Sequence, residues 1–142
     1  MPLTRDSPRY REFEYMSQDR KPRILAVEDN PDTQLLLRYL LRSEYSLEVV
    51  PHVEDALRAA REGEFDLLVL DINLGEERTG LDLLNELRAM PAHKDTPALA
   101  LTAYAMPGDK ERFEDAGFEV YIAKPFTRKE LHTALKLMLE KA

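Results

Sequence analysis

The stretch Ile24-Leu25-Ala26-Val27-Glu28-Asp29-Asn30-Pro31 decides how the rest of the chain reads. Four apolar residues in a row are too few for a helix. An unbroken run, with no polar residue between, is what a strand carries when helices cover both faces of its sheet. The run stops at two acids and then at Asn30-Pro31, a helix cap followed by proline at the first helical position. Leu36, Leu37, Leu40 and Leu41 recur beyond it at helical spacing.

The same grammar repeats outward from this stretch. Leu67-Leu68-Val69-Leu70, Ala98-Leu99-Ala100-Leu101 and Val120-Tyr121-Ile122-Ala123 are further apolar runs, each read as a central strand. A weaker strand is expected from Leu47 to Val50, and helices from about Val53 to Arg61, through Leu81, Leu84 and Leu87, from about Gly108 to Ala116, and from Thr127 to about Lys141, with Leu131, Leu135 and Met138 on its apolar face. Gly117 is the natural end of the fourth helix. Ala103 to Met106 leads into Pro107-Gly108 and reads as loop. Strand and helix therefore alternate five times, which predicts right-handed crossovers and a doubly wound α/β domain with a parallel sheet and helices on both faces. Residues 21–142 are assigned to this domain and residues 1–20 to an N-terminal leader. In the leader Arg5, Arg9, Arg11 and Arg20 mix with Asp6, Glu12, Glu14 and Asp19, around Tyr10, Phe13 and Tyr15. It reads either as a mobile segment or as a short amphipathic turn that docks on the domain, and Met16 offers a second start.

Composition narrows the function. The 142 residues hold 27 acids against 20 bases, a net charge of −7. Affinity for nucleic acid through phosphate neutralisation needs clustered Lys and Arg, so no nucleic-acid partner is expected. The absence of cysteine excludes disulfides, thiolate metal sites and thiol nucleophiles. No run approaches the roughly 20 apolar residues that span a bilayer, and no secretion signal opens the chain. A cytoplasmic protein without a membrane partner is the expectation.

Each apolar run ends in a polar residue: Glu28-Asp29, Asp71, Thr102 and Lys124. In an open parallel sheet all strands point one way and ligands bind beyond their carboxyl ends, so these side chains converge. Each has an ordinary reading as well. Asp29 or Asn30 caps the first helix, Asp71 closes its strand in an Asx turn, Thr102 bonds nearby backbone, and Lys124 is a solvated turn residue. Taken together they are harder to assign to chance. Three neighbouring carboxylates repel unless a cation joins them, and oxygen ligands with no His or Cys select a hard ion, Mg²⁺ first. Carboxylates facing a lysine suit phosphoryl transfer to an acid, with Asp71 attacking in line while Lys124 and the metal neutralise equatorial oxygens. His52, His93 and His132 lie far apart in sequence and are expected in surface or capping roles. No glycine-rich phosphate loop is present, and the acidic first turn argues against nucleotide or flavin binding.

The set Glu28-Asp29, Asp71, Thr102 and Lys124-Pro125-Phe126 resembles the receiver domain of two-component response regulators, the family of the bacterial chemotaxis regulator. The resemblance covers Arg23 to Ala142. It implies a flavodoxin-like (βα)5 fold with strand order 2-1-3-4-5, and Asp71 as phosphoacceptor. It implies Asp29 as a direct Mg²⁺ ligand, Glu28 holding a metal-bound water, and Asn73 offering its backbone carbonyl. Thr102 and Lys124 would contact the phosphoryl group, Tyr121 would be the aromatic switch that follows Thr102, and the Lys124–Pro125 bond would be cis.

Two departures stand out. Leu74-Gly75 replaces the usual Met-Pro, and Gly80 falls one position late because of an insertion around Glu76-Glu77-Arg78. Tyr104, two residues after Thr102, would shield the aspartyl phosphate or serve as a half-buried loop anchor. The resulting expectation is a stand-alone receiver with no output domain after its last helix. It takes a phosphoryl group from a sensor histidine kinase or histidine phosphotransfer protein and presents a surface around the fourth helix, Tyr121 and the fifth helix, with Lys129, Glu130 and Lys136 near it, to a downstream protein. The alternatives are a receiver-like docking module that is never phosphorylated and an aspartyl-nucleophile phosphatase. The latter lacks the usual second aspartate, since that position is Asn73.

Overall fold

The structure, a computed structural model, describes residues 21–103 and 106–141. Strand β1 (Arg23–Val27) leads into helix α1 (Pro31–Leu41), followed by β2 (Ser46–Val50), α2 (Val53–Glu62), β3 (Leu67–Asp71), α3 (Gly80–Arg88), β4 (Ala98–Thr102), α4 (Asp109–Ala116), β5 (Val120–Ala123) and α5 (Arg128–Lys141). All neighbouring strands pair in parallel, in the order β2-β1-β3-β4-β5. The doubly wound sheet expected from the alternation is therefore the observed one.

The apolar runs do what a two-faced sheet requires. Leu25 and Val27 join Leu68, Leu70, Leu83, Leu84 and Phe113 on one side, while Ile24 and Ala26 join Leu37, Leu41, Leu67, Leu99, Leu131 and Leu135 on the other. Period-2 alternation thus sends successive residues of a single run into two separate cores. Each buried Leu or Ile contributes about 1.5–3 kcal/mol through burial. The weak signal of β2 has the converse cause. It is an edge strand, none of its residues is fully buried, and its apolar share is correspondingly diluted.

Local chemistry sets the ends of the elements. Asn30 caps α1 by accepting from the Asp32 and Thr33 amides at 2.9 and 3.2 Å, and Pro31 opens the helix. Thr127 and Glu130 form a reciprocal capping box at α5, with bonds of 2.9 and 3.1 Å. Gly108, expected inside α4, instead precedes it in a left-handed conformation, φ 87°. Gly117 closes the same helix at φ 107°.

Two further expectations are corrected. Val120–Ala123, read as a central strand, forms the second edge of the sheet, where only Ile122 is buried. His93 is not a surface or capping residue. It lies wholly buried in a short 3-10 turn, Pro91–His93, that the sequence did not announce, and its Nε2 accepts the Phe65 N–H at 3.2 Å. The backbone donor lies 28 residues away, and meeting it outweighed the usual exposure of an imidazole. His52 does take the residue before α2, and His132 bonds the Leu40 carbonyl at 3.0 Å.

Candidate functional site

The site forms where β1, β3, β4 and β5 end. β3 and β4 run one residue further than their apolar runs, so Asp71 and Thr102 are the last residues of their strands and are nearly buried, at 3% and 5% exposure. Glu28 continues the β1 pairing by donating its N–H to the Val50 carbonyl at 3.0 Å, and it is fully buried. Its Oε1 accepts from the Asn30 amide at 3.0 Å, and Gln34 Nε2 donates to its carbonyl at 2.6 Å. Asn30 is therefore the α1 cap, which leaves the half-buried Asp29 carboxylate outside that role.

The three acids come together: one carboxylate oxygen from each of Glu28, Asp29 and Asp71 lies within 4.8 Å of the others. Lys124 reaches across from the end of β5. Its Nζ donates to Glu28 Oε2 at 2.6 Å and to Asp71 Oδ2 at 3.1 Å, and its N–H donates to the Thr102 carbonyl at 2.7 Å. The bond from Lys124 to Pro125 is cis. Asp71 also makes the Asx turn that was the ordinary alternative, its Oδ1 accepting from the Asn73 amide at 3.2 Å. Turn and site coexist in one carboxylate, because its two oxygens face different partners.

Burial pushes the Glu28 carboxyl above its ordinary value, and the charge of Asp71 adds to this, against the lowering influence of Lys124 and the Asn30 amide. Burial works to lower Lys124, but the Glu28 hydrogen bond and the Asp71 charge outweigh it and hold the ammonium above its ordinary value. Lys124 is thus a firm cation beside a carboxylate that burial makes reluctant to ionise. Three carboxylates against one ammonium leave an excess of negative charge among oxygen-only donors, which fits a small hard cation such as Mg²⁺.

Not every sequence candidate joins the cluster. Tyr121 packs its half-buried ring edge-on against Phe113, with centroids 5.7 Å apart. Beside it Lys110, Phe113, Glu114, Phe118 and Glu119 line a cleft of about 190 Å³. Lys129, Glu130 and Lys136 are exposed on α5. Tyr104 and residues 1–20 lie outside the described residues.

The insertion after β3 is absorbed in the loop rather than in the strand. Gly80 opens α3 and donates its N–H to the Ile72 carbonyl at 2.9 Å. A Cβ there would collide with the Asp71 carbonyl and stand 2.9 Å from Ile72 Cα, so glycine is what lets α3 start against the end of β3. Gly75 holds φ +70°, and a Cβ built on it would lie 3.2 Å from Asp29 Oδ2. Sequence reasoning missed two participants. Gln34, in the first turn of α1, bonds the Glu28 carbonyl six residues back, and Glu76, in the inserted loop, accepts from a backbone N–H 23 residues away.

Comparison with known proteins agrees with this architecture. Residues 24–136 match the response regulator receiver domain family. A 14.6 kDa protein of Leptolyngbya boryana is 38% identical over 109 residues, covering 76% of this chain and 82% of that one. The polar-differentiation response regulator DivK of Brucella anthropi is 37% identical over 105 residues, covering 73% and 85%. The BarA histidine kinase of Escherichia coli is 34% identical over 118 residues, which span 79% of this chain but only 12% of the kinase. Among solved structures, the Vibrio cholerae chemotaxis protein CheY4 superposes with a TM-score of 0.79 at 27% identity, over 84% of this chain and 99% of that one. The receiver domain of a Pseudomonas aeruginosa sensor histidine kinase, solved with a magnesium ion in its active-site cleft, superposes at 0.77 with 36% identity over 84% and 98%. Among the described residues no helix is long and apolar enough to cross a membrane. With its family match, its parallel 2-1-3-4-5 sheet and its acidic cluster at the strand ends, the chain belongs to the response regulator receiver domains of two-component systems.

Proposed function

We propose that this receiver accepts a phosphoryl group on Asp71 from a phosphohistidine of a sensor histidine kinase or histidine phosphotransfer protein, with Mg²⁺, and passes the signal on through a protein-binding surface. The observation that carries the reading is the buried Asp71 carboxylate, ion-paired to Lys124 at 3.1 Å and within one 4.8 Å cluster with Glu28 and Asp29.

An oxygen of Asp71 attacks phosphorus, forming a P–O bond as the P–N bond to the donor imidazole breaks and its electron pair leaves with the nitrogen. Lys124 stays charged and close enough to shift its hydrogen bond from Asp71 to an incoming phosphoryl oxygen. Thr102, at the end of the adjacent strand, brings a hydroxyl to the same edge of the sheet. Asp29, Asp71, Glu28 and the Asn73 carbonyl would hold Mg²⁺, which supplies positive charge for the equatorial oxygens. Attack by water later breaks the new P–O bond, restoring the carboxylate and releasing phosphate. Phosphorylation biases the surface of α4, β5 and α5, where Tyr121 lies half-buried beside its cleft, and a downstream protein reads the change.

The test is intact mass after incubation with Mg²⁺ and a small acyl phosphate. The parent is expected to gain one labile phosphoryl group and Asp71→Asn none. An adduct on Asp71→Asn, or none on the parent, overturns the proposal.

A further inference from the structure

Helix α2 begins without a cap of its own. His52, the residue before it, makes no side-chain bond to the first turn. The Val53 N–H, one of the donors that every helix start leaves without an intrahelical partner, donates instead to Glu76 Oε2 at 3.2 Å. The acceptor comes from the β3–α3 loop, 23 residues downstream. The same oxygen stands 3.5 Å from His52 Nδ1. A carboxylate at this end of a helix also gains from the aligned peptide dipoles.

A second tie follows at once. Arg78 pairs with Glu54 in the first turn of α2, and its Nη1 bonds both carboxylate oxygens of Glu86 on α3 at 3.1 and 3.2 Å. Glu54 is largely exposed, and exposed ion pairs of this kind contribute little, so the helix cap is the stronger anchor. Between the anchor and the acceptor strand lies Gly75, left-handed in its backbone, where an added Cβ would stand 3.2 Å from Asp29 Oδ2.

From this geometry we infer that Glu76 is a positioning residue of the site: by capping α2 it fixes the loop backbone beside Asp29 and so prepares the carboxylate cluster for a cation. The inference deepens the Mg²⁺ reading above and rests on it. Glu76 touches no reacting group; it acts through the loop. Partners that merely orient metal-binding groups typically change affinity about tenfold or more when removed.

Amide hydrogen exchange and a titration with MgCl₂ alone, both followed by NMR, test it. Glu76→Ala is expected to speed exchange at Val53 and Gly75 in metal-free protein and to weaken Mg²⁺ binding by about tenfold. Glu76→Gln keeps an oxygen for the Val53 N–H and is expected to bind within about twofold of the parent. Glu77→Ala removes the same charge from the same loop and is expected to do likewise. Equal loss in Glu76→Ala and Glu77→Ala, or in Glu76→Ala and Glu76→Gln, makes the effect one of charge and overturns the inference. Unchanged exchange at Val53 in Glu76→Ala overturns it as well. A parent that binds no Mg²⁺ refutes the functional reading instead, while the metal-free exchange rates still decide whether Glu76 holds the loop.

Discussion

Replacing Lys124 by methionine keeps a long stem but removes the ammonium that faces Glu28 at 2.6 Å and Asp71 at 3.1 Å. Glu28 is then a fully buried carboxylate with another carboxylate as its neighbour. At an effective dielectric of about 20, two unit charges at 4.8 Å, the outer limit of the cluster, repel by about 3.5 kcal/mol. Breaking a buried pair from one side typically costs about 3–5 kcal/mol. The lower figure applies here, because Lys124 is 18% exposed and its pairing is partly screened. The loss should also depend on pH. Burial already holds the folded Glu28 value above 4.5, so folding gains a proton there, and that stability falls as pH rises from about 4.5 through the folded value. Without Lys124, whose hydrogen bond and charge lower it, the folded value climbs further and the window widens upward. Urea unfolding followed by far-UV circular dichroism, suited to a chain without tryptophan, is expected to give a deficit of about 3 kcal/mol near pH 8 and a smaller one near pH 5. Millimolar Mg²⁺ should restore the variant at pH 8 more than it stabilises the parent, since mass action at 100 times the dissociation constant yields about 2.7 kcal/mol. A deficit below about 1 kcal/mol at pH 8, or the same deficit at both pH values, refutes the reasoning.

Other perturbations address other links. Burial pushes the His93 imidazole below 6.5, so the unfolded chain takes the proton first; stability is full above about 6.5 and falls, by at most about 1.4 kcal/mol per unit, as pH drops through the folded value. His93→Gln, which keeps an acceptor for the Phe65 N–H without titrating, is expected to flatten that part of the unfolding profile between pH 7.5 and 5.5; an unchanged slope counts against it. Gly80→Ala forces a Cβ against the Asp71 carbonyl and Ile72 Cα, and is expected to cost about 1–3 kcal/mol in the same urea assay and to slow phosphorylation by acyl phosphate. Parent-like stability would mean that α3 simply shifts. Tyr104→Ala is expected to shorten the lifetime of the phosphorylated protein, measured by loss of the mass adduct; equal lifetimes sink the shielding role.

Much of this molecule is readable because its sheet is parallel and covered on both faces. Such a strand must be apolar at every position, and the first polar residue then marks the carboxyl end, where the site lies. Glu28, Asp71, Thr102 and Lys124 stand out for that reason, as interruptions of a hydrophobic signal. Edge strand β2 is free of that demand and carries Ser46 and Glu48, whereas the other edge, β5, keeps an unbroken apolar run. His93 and Glu76 escape the rule differently. Each is a polar side chain that accepts from a backbone N–H, that of Phe65 or Val53, more than twenty residues away in sequence. An unsatisfied amide leaves no mark on the side-chain pattern, since every residue but proline carries one. What folding must satisfy at the amide of Val53 is invisible until α2 is docked, and only then does the acid in the inserted loop acquire a partner. A loop insertion that looks like an irregularity of sequence thereby becomes, in three dimensions, a strap between the start of one helix and the acidic end of the sheet.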